Sequence, residues 1–376
     1  MTRGVRSFDV AVIGGGLVGA SLAFGLVDRV ESVAVLDEGD VAFRASRGNF
    51  GLVWVQSKGA GLPAYGAWTL RSSQAWPRLA STLAGTTGVD VRLIQNGGMS
   101  VFLSERERDA AFDRMRRMLA QPGMPQYRWR PVEGSELRAR VPGIGPRVVA
   151  ALHCEDDGHV NPLTLLHALH AALKLRGAHY LPDEPVAAIS PRQDGSFDLD
   201  CRSGRVHARR VVIACGLGNA ALADHVGLRA PVRPQRGQIV VLERMPPLLA
   251  QPMTTLRQTD EGTVMIGDSQ EDAGFHDDTD LRVLATLAER AVATFPALAQ
   301  ARVVRTWSAL RVMSPDGLPI YEQSTRYPGA FVATCHSGVT LAAAHAFVLA
   351  GAIADGALPA ALEPFSSRRF DVRAAA

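Results

Sequence analysis

Lysine is the residue type that this chain most nearly lacks. Only Lys58 and Lys174 occur, although lysine and arginine together number 40 among 376 residues. A lysine amine is the group that forms a Schiff base with a carbonyl substrate. The sequence therefore offers few residues for Schiff-base chemistry or for lysine-assisted reaction with oxygen.

Cysteine is scarce as well, and its spacing excludes two further classes. Cys154, Cys201, Cys215 and Cys335 lie far apart, and no C-x-x-C pair occurs. This distribution gives neither a zinc-binding pattern nor the disulfide framework of a small secreted domain. We expect no metal site, reduced thiols and a cytoplasmic location.

Charge and hydrophobic runs narrow the class further. The 40 basic and 37 acidic residues leave a formal charge of +3, and no basic run suggests a nucleic-acid partner. The apolar stretch Val10–Leu26 is interrupted by glycines, and we find no run of the roughly 18–20 residues that span a membrane. We therefore expect no transmembrane segment. With 47% hydrophobic residues, the chain can form two domains with ample cores.

The strongest positive signal is a glycine-rich turn near the start of the chain. An apolar strand, Val10–Ile13, runs into a turn with the spacing G-x-G-x-x-G. Gly14 permits the tight turn, Gly16 lets the backbone approach a pyrophosphate on the helix N-terminus, and Gly19 allows close packing of helix and sheet. The turn consists of Gly14, Gly15, Gly16, Leu17, Val18 and Gly19.

A second apolar strand, Val33–Leu36, is followed by an acidic residue at the position that a dinucleotide-binding βαβ unit requires. Asp37 can accept hydrogen bonds from an adenosine ribose, and Glu38 stands beside it. Strand, turn, helix, strand and acid in this order predict a bound dinucleotide. They leave open which dinucleotide binds and what chemistry follows.

Later segments predict the remaining secondary structure. A helix is expected to begin at Asn161-Pro162 and to end near Gly177, because asparagine caps helices and proline suits their first turn. Charged helices are expected over Ser104–Leu119 and Asp280–Phe295, and a strand over Ala330–Thr334 precedes an apolar helix. Other predicted strands are Ala178–Leu181, Val186–Ile189, Phe197–Cys201, Arg210–Ala214, Gln238–Leu242 and Thr263–Gly267.

Taken in order, several motifs resemble those of the D-amino acid oxidase (DAO) family of FAD-dependent amine and amino acid oxidoreductases. The resemblance covers nearly the whole chain. Ser46–Leu52 is similar to the family's loop along the flavin, and Val186 begins the strand that contacts adenine. The other matching motifs are Ala214-Cys215-Gly216, Arg236-Gly237-Gln238, Ala309-Leu310-Arg311 with Ser314–Pro319, and His336–Leu341.

The resemblance implies an α/β fold with an FAD-binding Rossmann-like domain of the glutathione-reductase type and an inserted α+β substrate domain. We assign residues 1–81, 147–227 and 311–376 to the FAD-binding domain, and residues 82–146 and 228–310 to the substrate domain. It also implies bound FAD. The FAD is expected to be non-covalent, because Ala309 occupies the place near which monomeric sarcosine oxidases use a cysteine to bond FAD covalently. The cofactor-binding residues implied are Gly14, Gly15, Gly16, Leu17, Val18, Gly19, Asp37, Glu38, Ser46, Arg47, Gly48, Asn49, Gly51, Leu52, Val186, Ala214, Gly216, Ser337, Gly338, Val339 and Thr340.

The implied reaction is hydride transfer from the α-carbon of an amine substrate to flavin N5, which gives an imine. Arg311 is expected to hold a substrate carboxylate, and His336 to contact cofactor or substrate. Met265 stands where sarcosine oxidases place an oxygen-activating lysine, which favours a dehydrogenase over an oxidase. Both kinds of enzyme stay open at this point.

Two stretches, Gly48–Lys58 and Cys335–His345, look most like one subgroup of the family. This subgroup contains D-hydroxyproline dehydrogenase and the FAD subunits of opine oxidase and hydrogen cyanide synthase. It suggests a dehydrogenase of a D-amino or cyclic imino acid, with D-proline or cis-4-hydroxy-D-proline preferred as substrate, and an electron acceptor of unknown identity. The alternatives are a glycine or sarcosine oxidase that makes peroxide and an FAD subunit of a heteromeric opine or hydroxyproline dehydrogenase. The chain is thus expected to form a homo-oligomer or to need partner subunits.

Overall fold

The computed structural model describes residues 6–39, 45–267 and 269–371. The strands are β1 (Arg6–Ile13), β2 (Val33–Leu36), β3 (Leu52–Val53), β4 (Gly98–Phe102), β5 (Trp129–Glu133), β6 (Ala150–Cys154), β7 (Gly158–His159), β8 (His179–Leu181), β9 (Val186–Pro191), β10 (Phe197–Cys201), β11 (Gly204–Ile213), β12 (Arg233–Arg244), β13 (Leu256–Gln258), β14 (Thr263–Ile266), β15 (Val303–Met313), β16 (Ile320–Gln323) and β17 (Ala330–Thr334). The helices are α1 (Leu17–Leu26), α2 (Pro63–Thr87), α3 (Glu105–Leu119), α4 (Gly134–Arg140), α5 (Pro162–Leu175), α6 (Asn219–Ala223), α7 (Leu281–Thr294), α8 (Gly338–Ala344) and α9 (Ala350–Asp355).

The largest sheet has eight strands and a parallel centre. Its order is β16-β17-β11-β1-β2-β8, and the hairpin β9-β10 pairs with the first half of β11. The pairs β8-β2, β2-β1, β1-β11 and β11-β17 are all parallel. The four residues of β2 are buried, as expected for a parallel strand covered on both faces. This architecture confirms the predicted α/β class with a Rossmann-like sheet.

Two smaller antiparallel sheets form the other part of the molecule. Four strands are ordered β13-β14-β12-β15, and three are ordered β4-β6-β5. Helix α7 covers one face of the four-stranded sheet, where Val240, Leu242 and Val264 share a core with its residues Leu284 and Leu287. Since side chains alternate along a strand, the opposite, second face carries the neighbours of these residues.

Local sequence accounts for the helix starts. The Asn161 Oδ1 accepts hydrogen bonds from the amides of Leu163 and Thr164, each at 3.2 Å, so the predicted cap at α5 is confirmed. The Ser104 and Asp280 side chains cap α3 and α7 in the same way. Both charged helices therefore begin where the sequence predicts.

Three of the predicted domain bounds fall inside or beside continuous elements. Residue 81 lies within α2, a helix of 25 residues that was not predicted from the sequence. Residue 147 precedes β6, which pairs with β4 and β5 and so belongs to a small sheet rather than to the FAD-binding sheet. Residue 311 lies within β15. Short buried strands such as β6 carry no sign in the sequence of the sheet that they join, and the domain bounds stay a prediction.

The expectation that no apolar run is long enough to span a membrane also needs correction. Residues Gly338–Asp355 form one helical run with a mean hydropathy of 1.5, long and apolar enough by length and composition to cross a membrane. However, 72% of the run is buried inside the protein. It packs against α1 and α2, which is the environment of a core helix.

Glycine is required where α1 meets this buried run. A Cβ on Gly25 would lie 1.9 Å from the carbonyl oxygen of Ala346. Gly85, in contrast, is an exposed residue of α2 with open space around the same position. These two helical glycines therefore form a matched pair for testing the packing.

We predict opposite effects of alanine at these two sites. Gly25→Ala should lower the free energy of unfolding by about 1–3 kcal/mol, because overpacking forces two backbones apart. Gly85→Ala should raise it by about 0.5–1 kcal/mol, because alanine favours the helix. Urea unfolding of both variants measures the difference. Equal effects would contradict the close approach of α1 to the run.

Candidate active site

The glycine turn between β1 and α1 is held by side chains from the segments that follow. Gly14 has φ +106°, and its amide donates to the Leu36 carbonyl at 2.7 Å. The Gly15 amide donates to Asp37 Oδ2 at 2.6 Å, and the Leu17 amide donates to Ser46 Oγ at 2.9 Å. Asp37 thus fixes the turn directly, and its carboxylate retains lone pairs for further donors.

His170, which was not predicted from the sequence, also holds this turn. Its Nε2 lies 2.7 Å from the Gly15 carbonyl oxygen, so this nitrogen carries the proton and donates it. The ring stacks on Tyr180, with centroids 4.6 Å apart. Burial lowers the pKa of His170, which keeps the imidazole neutral at pH 7. A lone histidine at the inner face of a helix carries no sequence signal for such a role.

A cleft of about 760 Å³ runs from this turn along the carboxyl ends of the large sheet's strands. This is the place where parallel α/β sheets bind ligands. Of the residues predicted from sequence, those that line it are Gly14, Gly15, Gly16, Leu17, Val18, Asp37, Glu38, Ser46, Arg47, Asn49, Val186, Ala214, Gly216, His336 and Gly338.

The other predicted residues lie outside the cleft lining, and several support the cleft from behind. A Cβ on Gly19 would lie 1.9 Å from the Gly14 carbonyl, so Gly19 permits helix–sheet packing. The Thr340 hydroxyl accepts from the Trp54 amide at 3.0 Å and donates to the Leu52 carbonyl at 3.3 Å. The full set outside the lining is Gly19, Gly48, Gly51, Leu52, Arg311, Ser337, Val339 and Thr340.

The segment after Ser46 rests on the second face of the four-stranded sheet. The Trp307 Nε1 donates to the Gly48 carbonyl at 3.4 Å, and a Cβ on Gly48 would lie 2.4 Å from Ala309 Cβ. A Cβ on Gly51 would lie 3.4 Å from the Arg257 guanidinium carbon. These glycines let the segment lie flat on the sheet face that also carries Arg311.

Arg311 is fixed on this face by backbone carbonyls. Its Nη1 donates to the Ser269 carbonyl at 2.7 Å and to the Arg236 carbonyl at 3.3 Å. A Cβ on Gly237 would lie 2.5 Å from the same nitrogen, so the glycine of the R-G-Q motif makes room for the guanidinium. Arg236 itself points elsewhere and pairs with Glu271 at 2.7 Å. The R-G-Q motif therefore provides the space and one of the acceptors that fix the Arg311 side chain.

Four polar side chains meet at the beginning of α8. Lys58 Nζ lies 3.2 Å from Ser337 Oγ and 3.5 Å from His336 Nε2, and the Tyr65 hydroxyl lies 3.1 Å from Ser337 Oγ. Burial, and then the charges of Lys58 and Arg311, hold the pKa of His336 well below its ordinary value. His336 is therefore a neutral imidazole at pH 7 and can accept a hydrogen bond.

Asp157, a buried carboxyl that was also not predicted, fixes the segment that carries Lys58. It accepts hydrogen bonds from the Val55 amide at 2.5 Å and from Gln56 Nε2 at 2.7 Å. Burial raises its pKa to about 7 in spite of these donors. Asp157 thus positions Lys58 through the chain, since it does not contact the lysine itself.

The residues present fit a dinucleotide cofactor. Backbone amides at the start of α1 and the missing side chain of Gly16 suit a pyrophosphate. Tyr180, Val186, His336 and Gly338 also line the cleft, and a Cβ on Gly338 would lie 3.6 Å from Leu17 Cβ at the start of α1. The fold and this cleft define a dinucleotide-binding protein with a Rossmann-like sheet.

Comparison with known proteins gives the family. The chain belongs to the family of FAD dependent oxidoreductases (DAO), which matches residues 9–352. It is 45% identical to the B subunit of opine oxidase from Agrobacterium tumefaciens (strain Ach5), over 98% of this chain and 99% of that protein. It is 29% identical to the HcnC subunit of hydrogen cyanide synthase from Pseudomonas aeruginosa, over 99% and 98% of the two chains.

Solved structures agree with this assignment. The crystal structure of glycine oxidase from Geobacillus kaustophilus matches with a TM-score of 0.87 and 27% identity, covering 96% of this chain and 98% of that one. The cofactor of the family is FAD, and its opine oxidase and glycine oxidase members act on amine or amino acid donors. The expected family, cofactor and enzyme class are therefore confirmed, whereas the roles of individual site residues stay predictions.

The two lysines of the chain allow a controlled test of the cluster at α8. We predict that Lys58→Met raises the pKa of His336, because a cation that disfavours the protonated imidazole is removed. Since protonated His336 cannot accept a hydrogen bond from the amine, the acidic limb of the pH profile of flavin reduction should move to higher pH. Lys174→Met, on α5, is the control and should leave the profile unchanged. An unaltered pH profile of flavin reduction in Lys58→Met would contradict the assigned effect of Lys58 on His336.

Proposed function

We propose that this chain is the FAD-carrying subunit of a heteromeric dehydrogenase that oxidises N-substituted amino acids of the opine class. The observation that carries the proposal is the 45% identity, from end to end, with one subunit of an opine oxidase. A second relative, HcnC, is also a subunit of a larger enzyme. An opine is a secondary amine with a carboxylate on each carbon arm, so it presents the groups that Arg311 and His336 suit.

Arg311 is proposed to orient the substrate. A guanidinium can hold a carboxylate through charge-assisted hydrogen bonds, which fixes the face of the α-carbon that meets the cofactor. The carbonyls of Ser269 and Arg236 limit the movement of this side chain. Such positioning contributes to rate because the reacting atoms need not be brought into register at each turnover.

His336 is proposed to hold the amine in its neutral form. Bound FAD would supply the chemistry of the oxidation by accepting a hydride from the α-carbon. An ammonium has no lone pair to assist that loss, so the amine must be neutral when it reacts. The neutral imidazole can accept a hydrogen bond from the amine N–H, and the charges of Lys58 and Arg311 disfavour an ammonium beside it.

Met265 supports a dehydrogenase rather than an oxidase. The thioether lies on the sheet face that meets Gly51, and Arg257 Nη2 lies 3.1 Å from its sulfur. A thioether carries no proton or charge to offer to oxygen, unlike the lysine expected there in a sarcosine oxidase. Electrons would then leave through a partner subunit.

Smaller substrates remain the second candidate. The resemblance of Gly48–Lys58 and Cys335–His345 to D-hydroxyproline dehydrogenase supports D-proline or cis-4-hydroxy-D-proline, which are also carboxylated secondary amines.

A comparison of N-(1-carboxyethyl) amino acids with D-proline, glycine and sarcosine distinguishes these candidates. The proposal predicts dye reduction by N-(1-carboxyethyl) amino acids with little peroxide under air. Peroxide production from glycine or sarcosine alone would contradict it.

We predict that Arg311→Leu lowers kcat/KM by about ten- to a hundredfold, because a charged hydrogen bond to substrate is worth about 1.5–3 kcal/mol. The variant should retain FAD, since Arg311 lies outside the cleft lining. Arg305→Leu is the matched control, because Arg305 is an exposed residue of the same strand. Normal turnover by the Arg311 variant would show that another residue holds the carboxylate.

A further inference from the structure

A second cavity, of about 730 Å³, lies apart from the cofactor cleft. It is bounded by α3 on one side and by strands β4 and β6 on the other. Ligand pockets commonly have volumes of about 300–1,000 Å³. The cavity is therefore large enough for a small molecule, and its volume exceeds that of an amino acid as small as glycine.

The segment that contains Gln56, Ser57 and Lys58 joins this cavity to the proposed reaction centre. Gln56 and Ser57 line the cavity, and the next residue, Lys58, extends to His336 and Ser337. His336 in turn lines the cofactor cleft. Consecutive residues of one rigid segment thus contact the cavity and the proposed reaction centre, and Asp157 holds that segment in place.

The interior of the cavity is apolar with a few hydroxyl groups. Val101, Leu152, Met115 and Met118 are buried side chains in its lining. On α3, Ala111 stands one turn before Met115, and its small side chain leaves the space open. Nearby, Ser100 Oγ and Thr254 Oγ1 are hydrogen-bonded to each other at 2.7 Å, which gives the wall a polar point.

The rim of the cavity is positively charged. Arg106, Arg114 and Arg290 line it, and Glu107 is the one acidic residue in the lining. Glu107 is already paired with Arg290 at 3.0 Å, so two guanidinium charges are not balanced within the lining. An apolar interior with a cationic rim suits an extended ligand that ends in a carboxylate.

We propose that this cavity is the subsite for the second arm of the substrate, an extended carbon chain that ends in a carboxylate. The inference rests on the proposed function and specifies its substrate class. One carboxylate lies at Arg311 and the amine at His336, whereas the other arm passes Ser57 and ends at the arginines of the rim. The chain is then selective for N-(1-carboxyalkyl) derivatives of amino acids whose side chain ends in a carboxylate, over compact amines.

Two substitutions on α3 test the subsite in the FAD-loaded chain. Ala111→Phe fills the cavity, and Arg114→Gln removes a rim charge; Arg117→Gln on the same helix lies outside the lining and is the matched control. The probe is N-(1-carboxyethyl)glutamate, whose second arm ends in a carboxylate, and D-proline is the compact reference. Binding is measured by calorimetry, and anaerobic flavin reduction is followed by stopped flow.

We expect Ala111→Phe to weaken probe binding and its rate of flavin reduction at least tenfold, with less than a twofold change for D-proline. Arg114→Gln should weaken probe binding three- to tenfold, more so at low salt, and Arg117→Gln should not. Equal effects on both substrates, or no effect, would overturn the subsite, as would failure of the wild-type chain to bind the probe. If the probe binds through Ala111 and Arg114 but does not reduce the flavin, the proposed reaction fails while the binding site stands.

Discussion

The structure depends on the close approach of backbones around the turn that joins β1 to α1. A Cβ on Gly14 would lie 2.5 Å from the Ala214 carbonyl oxygen, and one on Gly19 or Gly25 would lie 1.9 Å from a carbonyl oxygen. These distances bring α1, β11 and the buried helical run Gly338–Asp355 together. The cofactor cleft lies where these elements meet, so its shape follows from packing that only glycine allows.

The polar cluster at the start of α8 depends on a balance of charge. Desolvation, and then the charges of Lys58 and Arg311, hold the pKa of His336 well below its ordinary value. Arg257 is a further cation nearby, buried and bound to the Val160 carbonyl at 2.8 Å, and burial lowers its pKa to about 10. A site of this kind favours a carboxylated substrate and opposes a bound ammonium, which is what oxidation of an amino acid requires.

Much of the large sheet could be predicted because its signals are local. The turn at Gly14, the cap at Asn161 and the strand Phe197–Cys201 each depend on residues close in sequence, and the structure has all three. Helix α2 was not predicted because Pro77 and two glycines interrupt its pattern. Tertiary contacts stabilise it instead, among them hydrogen bonds from Trp76 and Ser72 to the backbone of the buried run.

The polar centre of the site could be predicted only in part. Arg311 and His336 stand in motifs, and so they could be named from sequence. The contacts of His170, Asp157 and Lys58 could not be predicted, because their partners lie 155, 101 and 278 residues away along the chain. Contacts between such distant residues depend on the three-dimensional arrangement of the sheets, which local patterns do not specify.

Oxidation of a carboxylated secondary amine by the bound flavin is tested most directly by anaerobic titration of the FAD-loaded chain with an N-(1-carboxyethyl) amino acid. The absorbance of oxidised flavin is followed without any electron acceptor, so a missing partner subunit does not affect the result. We predict loss of this absorbance with one equivalent of substrate per flavin, and release of a keto acid and an amino acid. Flavin that stays oxidised with every carboxylated secondary amine, but is reduced by glycine, would contradict the proposed reaction.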